Sequence, residues 1–445
     1  MSLPRPEVTP LKALRKVRVD ERELGGGLRS LVVKRSEVPL VEVRLVFPLS
    51  GRQMLRPAVP LVSSEAILAG TARHDRISLA EAVGRLGGTL GASAAGDTFV
   101  LYGSAFSQRY RQLLELMAEV LCTAAYPAEE VAADRARSAD EMTIVLSRPE
   151  TLAAEAVGRR LYGSHPYGAP LPRPEAVAAV TAARLKRFHS SLLHPSGAHL
   201  VVVGDLTAAR ATGLASEVLG EWLETPPASR SALPSLPAVA TGPLELVDRP
   251  GSVQSNIRIA GPMPSRLEPE WPAVAAVNAV LGGMFSSRIV ENLRERNGYT
   301  YSPYSSVRHM RAGSSGSIGA DVSNEVTAAA LVELRYEIAR LATAGVSEEE
   351  LQAARKYLIG TFLFQTATQA SLASTLAALA ATGVDPGYLS GHPARLARLE
   401  KSEVDAAARR YFSPSRLATV VVGEAEAVAG QLGELEQIEL SRPFA

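Results

Sequence analysis

The chain repeats itself at a nearly constant interval, and this repeat constrains its fold more than any single motif. Residues 187–204, RFHSSLLHPSGAHLVVVG, match residues 410–423, RYFSPSRLATVVVG, and in both a proline lies nine residues before the last glycine. The two glycines are 219 residues apart. Glu130 and Glu350 form a second match at an offset of 220, each with an arginine five residues later. Two independent matches at nearly one offset indicate two homologous halves.

Both halves follow the same predicted order of elements. A strand with alternating apolar residues is followed by a helix, a pair of strands, two long helices and a closing strand. In the first half these are residues 41–47, a helix with a capping box at Ser78-x-x-Glu81, 89–106, 107–121, 129–146 and 200–203. The second half repeats the box as Ser347-x-x-Glu350. Strands in hairpins and helices in runs predict an α+β fold, with a mostly antiparallel sheet packed with helices in each half.

The predicted domain boundaries follow from this repeat. A chain of 445 residues is too long for one hydrophobic core. Residues 224–243, ETPPASRSALPSLPAVATGP, are rich in Pro, Ser and Ala and are typical of an extended linker. We therefore predict an N-terminal α+β domain over 1–223, a linker over 224–243 and a C-terminal α+β domain over 244–445.

Composition excludes several classes of protein. Hydrophobic residues make up 46% and charged residues 21%, which excludes disordered and fibrous chains. The net charge of +1, without a basic run, argues against nucleic acid as a partner. No apolar run reaches the roughly 18 residues of a membrane span. The start MSLPRPEVTP lacks an apolar signal region, so we expect a cytoplasmic protein; a periplasmic location stays open if a leader was removed.

Cys122 is the only cysteine of the chain. A disulfide or a thiolate metal site within one chain is therefore excluded. Its position in LLELMAEVLC predicts a small apolar residue on the buried face of a helix.

The segment 281–302, LGGMFSSRIVENLRERNGYTYS, is the best candidate for contact with a substrate. Its apolar residues recur at helical spacing and predict one buried helix face: Met284, Ile289 and Leu293. Asn297-Gly298 predicts a left-handed stop, which places Arg294 at the helix end. Tyr301 then follows on an emerging strand.

This segment resembles the C-terminal-half signature of the pitrilysin or insulinase family of zinc metallopeptidases, in which an Arg and a Tyr seven positions on contact the substrate backbone. The resemblance covers nearly the whole chain and also implies two halves joined by a linker. It implies that the Arg294 guanidinium binds a peptide carbonyl and that the Tyr301 phenol donates to the developing oxyanion. The alternative is an Arg294 in a surface ion pair and a packed Tyr301 with a satisfied hydroxyl.

Active members of that family carry HxxEH on a helix of the N-terminal half, ahead of a Gly-Thr pair, and bind zinc there. Residues 57–71, PAVPLVSSEAILAGT, occupy that place and end in Gly-Thr. The motif positions hold Leu61, Ser64 and Glu65, so both histidines and the catalytic glutamate are missing. Zinc hydrolysis at this locus is not expected, because leucine offers no ligand and serine is no general base at neutral pH without a partner.

Two other groups of residues are candidate metal ligands. An acidic cluster covers the region of the family's third ligand and is interpreted as a solvated helix face: Glu129, Glu130, Asp134 and Glu141. Three histidines lie five apart, a spacing that fits neither a helical i,i+4 pair nor one strand face: His189, His194 and His199. We expect no metal or cofactor in this chain.

The missing HxxEH together with Arg294 and Tyr301 resembles the non-catalytic subunit of heterodimeric family members. The leading hypothesis is a substrate-binding chain that is inactive alone and completes the zinc site of an HxxEH-bearing homologous subunit, with a peptide as the substrate. A second hypothesis is a scaffold or assembly subunit with no proteolytic role. A third is an active peptidase with an unrecognised site.

Overall fold

Two six-stranded sheets form the framework of the protein in the computed structural model, which describes residues 16–226, 232–239 and 241–442. The strands of the first half are β1 (Asp20–Glu23), β2 (Arg29–Lys34), β3 (Leu40–Pro48), β4 (Thr89–Ala95), β5 (Thr98–Phe106) and β6 (His199–Gly204). Those of the second half are β7 (Leu244–Asp248), β8 (Gln254–Met263), β9 (Tyr304–Met310), β10 (Gly313–Ser323), β11 (Ala418–Gly423) and β12 (Ile438–Ser441). Of the predicted linker, 227–231 and 240 lie outside the described residues, and 232–239 form neither helix nor strand.

Helices surround both sheets. In the first half they are α1 (Gly51–Met54), α2 (Ala58–Ala66), α3 (Arg76–Arg85), α4 (Tyr110–Thr123), α5 (Ala128–Leu146), α6 (Pro149–Tyr162), α7 (Pro174–Ala178), α8 (Ala182–Leu192), α9 (Ala208–Val218) and α10 (Gly220–Leu223). In the second half they are α11 (Trp271–Asn278), α12 (Thr327–Ala344), α13 (Glu348–Gln365), α14 (Gln369–Ala381), α15 (Tyr388–Ala397), α16 (Lys401–Tyr411) and α17 (Ala425–Gly433). None of the helices in the described part of the chain combines the length and the apolar composition that a membrane span requires.

The strand orders confirm the predicted fold class of two homologous halves. The first sheet runs β1-β2-β6-β3-β5-β4 and the second runs β12-β7-β11-β8-β10-β9, so five strands correspond one to one. Most neighbours are antiparallel, and the pairs β2/β6 and β7/β11 are parallel. The sixth strand of each sheet differs. In the first sheet it is β1, the first strand of the chain, which pairs antiparallel with β2; in the second it is β12, the last strand, which pairs parallel with β7.

The two arginines of the sequence repeat make the same contact in each half. Arg135 Nη1 donates to the carbonyl of Val180 at 2.9 Å, and Arg355 donates to the carbonyl of Leu399. Those two carbonyls are again 219 residues apart. The repeat therefore marks a shared way of holding a long helix, α5 or α13, against the segment that follows it.

One of the two predicted capping boxes is wrong. Ser347 caps α13 as predicted, accepting from the Glu350 amide at 3.1 Å, while the Glu350 side chain accepts from the Ser347 amide at 2.7 Å. In the first half α3 starts three residues earlier than expected, because Asp75 is its N-cap and accepts from the Ser78 amide at 2.8 Å. A carboxylate caps a helix as well as a hydroxyl does, and Asp75 comes before Ser78 along the chain.

Each half supplies one helix to the core of the other. From the second half, α14 lies on the first sheet, where Leu372 and Leu376 are fully buried with Val33 and Val201. From the first half, α6 lies on the second sheet, where Leu152 packs in one cluster with strand residues of β7 and β11. Both faces of each sheet are thus covered, which explains why β6 and β11 contain continuous runs of valine instead of alternating apolar and polar residues.

Hairpin turns of the two halves also meet directly. Asp97, in the turn between β4 and β5, accepts from the Tyr167 hydroxyl at 2.6 Å and from the Arg311 amide at 2.8 Å. Arg311 lies in the turn between β9 and β10, and its Nη1 donates to the carbonyl of Leu49 at 2.7 Å. Burial, and then the Asp97 hydrogen bond, raise the pKa of Tyr167, so it remains a neutral donor.

The predicted burial of Cys122 is wrong. The thiol is exposed near the end of α4. The buried face of α4 includes Met117, Val120 and Leu121. Because successive helix residues are about 100° apart, the residue after Leu121 points away from the core.

Candidate functional site

The predicted substrate segment is helical, but its helix is not the expected α-helix. α11 runs into a π-helical turn at Ala279–Gly283, and a second π-helical stretch spans Val290–Arg296. The Asn297 amide accordingly bonds the carbonyl of Asn292, five residues back, at 3.1 Å. Sequence periodicity cannot separate this winding from an α-helix, because both bury the same few residues. Such turns are frequent at functional sites.

The predicted buried face of this segment is confirmed. Ile289 and Leu293 are fully buried and Met284 is nearly so. Met284 lies in the turn between the two π-helical stretches rather than on a helix, so its burial does not come from helical spacing.

The predicted stop at the end of the segment is confirmed, and the predicted strand is displaced. Gly298 adopts φ of +65°, the left-handed conformation expected of a helix C-cap glycine. Tyr301 does not lie on a strand, because β9 begins three residues later at Tyr304. Pro303 explains the delay, since it has no N–H to donate to a strand neighbour.

Arg294 and Tyr301 both lie at the protein surface. The Arg294 guanidinium stands 5.0 Å from the ring centre of Phe285, and its Nε contacts Glu295 Oε1 at 3.2 Å. Tyr301 is 87% exposed and makes no hydrogen bond or ring contact with any residue that the structure describes. The alternative of a packed Tyr301 is therefore wrong, while Arg294 does have a surface ion pair, of a kind worth at most about 1 kcal/mol.

Phe285 was missed by the sequence analysis. Its ring is 73% exposed although it supports the Arg294 guanidinium from one side. It lies in a turn, where no periodicity marks it, and the only signal was a large aromatic residue between Gly-Gly and Ser-Ser. The segment 281–302 thus presents two aromatic rings and one cation to solvent; we call these residues, Phe285, Arg294 and Tyr301, the Arg/Tyr patch after their shared segment.

A partly buried ion pair anchors the helix that carries Arg294. Arg288, 8% exposed, binds Glu350 through Nε at 2.7 Å and donates to the carbonyl of Gly345 at 2.8 Å. Burial would raise the pKa of Glu350, but hydrogen bonds from Arg288 and the Ser347 amide outweigh it and leave the pKa below its usual value. In the first half Arg76 contacts Glu130 at 2.5 Å in the same way. The anchor is part of the repeat, whereas the Arg/Tyr patch belongs to the second half.

The three positions of the missing zinc motif lie on α2, as predicted. Leu61 is partly buried against the first core, and the Ser64 hydroxyl donates to the Leu61 carbonyl at 2.7 Å. Glu65 is exposed. This donor set does not fit zinc, because a hydrocarbon, a hydroxyl engaged with the backbone and one carboxylate replace the required imidazoles.

The interpretation of the acidic cluster on α5 is wrong for Asp134. Glu129 and Glu141 are exposed, as a solvated face requires, but Asp134 is buried and binds Arg76 Nη2 at 2.6 Å. Arg137 pairs with its other oxygen. This carboxylate is therefore committed to guanidinium groups. Among the described residues, no group of three or more His, Cys, Asp or Glu side chains is arranged to hold a metal ion.

Of the three spaced histidines, His189 has a clear packing role. Its ring nitrogens bond the Tyr126 hydroxyl at 3.0 Å and the carbonyl of Leu121 at 2.8 Å. Burial lowers the pKa of His189, so it is neutral at physiological pH. It fastens α8 to α4.

Two family models match the chain in succession. Residues 64–175 match the insulinase (peptidase family M16) model, and residues 179–358 match the model of the peptidase M16 inactive domain. The chain belongs to the insulinase (M16) family. It is a non-catalytic member, since α2 lacks HxxEH and the longer of the two matches is to the inactive domain. The family expected from the sequence is thereby confirmed.

Relatives within the family are distant in sequence. An uncharacterized zinc protease of Mycobacterium leprae is 24% identical over 65% of this chain and 65% of its own length. One of Mycobacterium tuberculosis is 26% identical over 53% of this chain and 54% of its own length. One of Bacillus subtilis is 20% identical over 73% of this chain and 76% of its own length. The chain thus spans less than two thirds of the first two relatives.

Solved M16-like structures share the fold over nearly the whole chain. A peptidase M16 inactive domain from Pseudomonas fluorescens is 25% identical, covers 93% of this chain and 99% of its own, and superposes with a TM-score of 0.84. A protease from Helicobacter pylori covers 92% of this chain and 100% of its own at 18% identity, with a TM-score of 0.83.

Proposed function

We propose that this chain is the substrate-binding, catalytically inactive subunit of a zinc metallopeptidase, which cleaves peptides together with an HxxEH-bearing homologous subunit. The observation that carries the proposal is the exposure of the Arg/Tyr patch, which lies on and beside an anchored helix, in a chain whose α2 lacks zinc ligands. On this proposal zinc belongs to the partner, and Arg294 and Tyr301 act on the peptide bound between the two chains.

The chemistry of the patch suits a peptide bond. A guanidinium donates in a fixed fork and orients a carbonyl oxygen, and a phenol donates to the oxyanion that develops as water attacks. Holding a peptide in the reactive geometry is a large part of hydrolysis, and groups on a second chain can supply it. The supporting fact is that the exposed Tyr301 hydroxyl has no partner among the described residues. It is therefore available to donate a hydrogen bond to a ligand.

Anchoring of the patch supports the same proposal. Arg288 and Glu350 fix the start of the segment, and Asn292 fixes its middle by donating to Glu333 at 2.8 Å and Glu337 at 3.0 Å. A site loses much of its effect when its donors are displaced by about 1 Å.

The test begins with affinity purification of the tagged chain from cytoplasmic and periplasmic fractions of its native cells, followed by mass spectrometry and peptide-cleavage assays. We expect a similar-sized HxxEH protein in the eluate and zinc-dependent cleavage. Tyr301→Phe and Arg294→Ala should each lower the turnover by about 10²- to 10³-fold without changing zinc content. The matched controls are Tyr336→Phe and Arg296→Ala, which alter exposed residues outside the patch.

The outcomes separate this proposal from its competitors. Cleavage by the purified chain alone that persists in Arg294→Ala would refute the proposal and favour an active peptidase with another site. Recovery of a large assembly without cleavage would refute it in favour of a scaffold subunit. Equal losses in the patch variants and their controls would remove Arg294 and Tyr301 from the mechanism.

A further inference from the structure

A cavity in the second half has a polar lining that the proposed function does not use. It measures about 540 Å³ and is bounded by α11, α13, α14, α15 and β9. Its lining includes one arginine and three aromatic or imidazole side chains beside Trp271: Arg266, His309, Tyr388 and His392. No Asp or Glu of the described residues lines it. The cavity is therefore cationic.

The aromatic rings of this cavity hold one another in place. The Tyr388 and His392 rings are stacked with centres 4.5 Å apart, and the His309 ring meets Trp271 edge-on at 4.3 Å. Trp271 Nε1 donates to the Tyr388 hydroxyl at 2.8 Å. The Arg266 guanidinium lies near enough to the Tyr388 hydroxyl for each group to influence the pKa of the other. These aromatic side chains are thus held in place before any ligand arrives.

Both imidazoles of the cavity have an unmet hydrogen-bonding atom. His392 is 9% exposed, and its Nδ1 has no partner among the described residues. His309 bonds the Ser314 hydroxyl at 2.8 Å through Nδ1, whereas its Nε2 is buried without a partner in the same part of the chain. Buried polar atoms are rarely left without a partner, because each costs about 1–3 kcal/mol.

Arg266 lacks a counter-ion in the described structure. Glu268 lines an adjoining cavity of about 170 Å³, but its carboxylate accepts from the Ser265 amide at 2.8 Å and forms no ion pair with Arg266. Partly buried guanidinium groups are normally paired, since removing the charge from water is costly. Burial lowers the pKa of Arg266 for this reason.

The charge state of the cavity follows from its burial. Burial, and then the nearby charge of Arg266, lower the pKa of His392 to about 4 and that of His309 to about 3. Both rings are therefore neutral at physiological pH, and each can donate one N–H and accept at its other nitrogen. The cavity carries a single positive charge, which one monoanionic group would neutralise.

We propose that this cavity binds the oxyanion group, carboxylate or phosphate, of a small organic molecule. Arg266 pairs with the oxyanion, and the neutral rings of His309 and His392 lie beside it, so that their signals report its charge. The rest of the ligand lies against Leu358 and Phe362 of α13, with Gln365 as a further polar contact. The site is separate from the Arg/Tyr patch and does not depend on the proposed function.

The test is a titration of the full chain with inorganic phosphate and, separately, with acetate, followed by NMR of ¹⁵N-labelled histidines. Seven histidines are few enough to assign with His309→Asn and His392→Asn. We expect saturable shifts of the His309 and His392 signals with one probe or both. Arg266→Gln should weaken binding by about one to two orders of magnitude, whereas Arg266→Lys should retain part of it.

The matched control is Arg308→Gln, which removes an exposed arginine from the opposite face of β9, one residue before His309. It should leave the titration unchanged. Saturation by phosphate alone assigns a phosphate ligand, and saturation by acetate alone assigns a carboxylate. No saturable shift of either histidine at millimolar concentrations of both probes would overturn the site. Shifts that persist in Arg266→Gln and Arg266→Lys alike would overturn it too.

Discussion

Leu376→Ala tests whether the two halves stabilise each other through the exchanged helix α14. Leu376 is fully buried and belongs to the second half by sequence, but it packs in one cluster with Val33 and Val201 of the first sheet. Truncating a buried leucine costs the transfer free energy of the removed atoms plus a cavity term, together about 2–5 kcal/mol. We expect the upper part of this range, because a hydrogen-bonded sheet cannot collapse into the space.

The assay is urea unfolding combined with hydrogen exchange followed by mass spectrometry. The free energy of unfolding should fall by about 3–5 kcal/mol in one transition, and exchange should accelerate in β2 and β6 of the first half. Leu267→Ala is the matched control, since Leu267 is 64% exposed and should change stability by less than about 0.5 kcal/mol. Faster exchange confined to the second half, or a loss as small as that of the control, would refute this account of the fold.

Four further predictions follow from individual side chains. Because of His392, the free energy of unfolding should fall by about 2 kcal/mol between about pH 7.5 and pH 5 in phosphate-free buffer. Below the unfolded pKa of about 6.5 only the unfolded chain takes up the proton, until the folded pKa of about 4 is reached. His392→Phe should show a correspondingly flatter pH dependence in urea titrations. Asp134→Asn should lower the free energy of unfolding by about 1–3 kcal/mol, since it weakens a charged hydrogen bond to Arg76, and an unchanged urea midpoint would contradict the ion pair. Ser347→Ala should cost about 1 kcal/mol through the lost cap of α13, whereas Ser78→Ala, which leaves the Asp75 cap in place, should cost less. Cys122 should take up one equivalent of maleimide in the native state, because its thiol is exposed. Labelling should accelerate with pH as the thiolate forms, over a higher pH range than for a free cysteine, since partial desolvation and then Glu221 raise the pKa of the thiol; labelling only after unfolding would mean that the thiol is buried.

The sequence predicted those features of the fold that depend on local pattern. Alternation placed the strand over 41–47 inside β3 (Leu40–Pro48), and the matching glycines 204 and 423 ended the closing strands of both sheets. Gly298 ended its helix as predicted because a positive φ is a local property of the backbone. Where two local signals competed, as Asp75 and Ser78 did for one helix start, pattern alone chose the wrong one.

The candidate site shows the same division. Residue identity at Leu61, Ser64 and Glu65 was enough to exclude the family's zinc chemistry at α2, and the spacing of Arg294 and Tyr301 marked the segment. The sequence could not indicate that Phe285 supports Arg294, because the contact crosses an aperiodic turn. It also missed the pairing of Asp134 with Arg76, since the two residues are 58 positions apart and lie on different helices.

By itself, then, the sequence determined a duplicated α+β chain of the insulinase family without the zinc ligands, because repeat spacing, alternation and residue identity are written along the chain. Only the tertiary structure decided that α6 and α14 cover each other's sheets and that the helix before Tyr301 winds as a π-helix. It alone also brought Arg266, His309 and His392 together around one cavity. These features depend on which surfaces meet. Contacts between residues distant in sequence determine which side chains are buried, and local pattern does not encode those contacts.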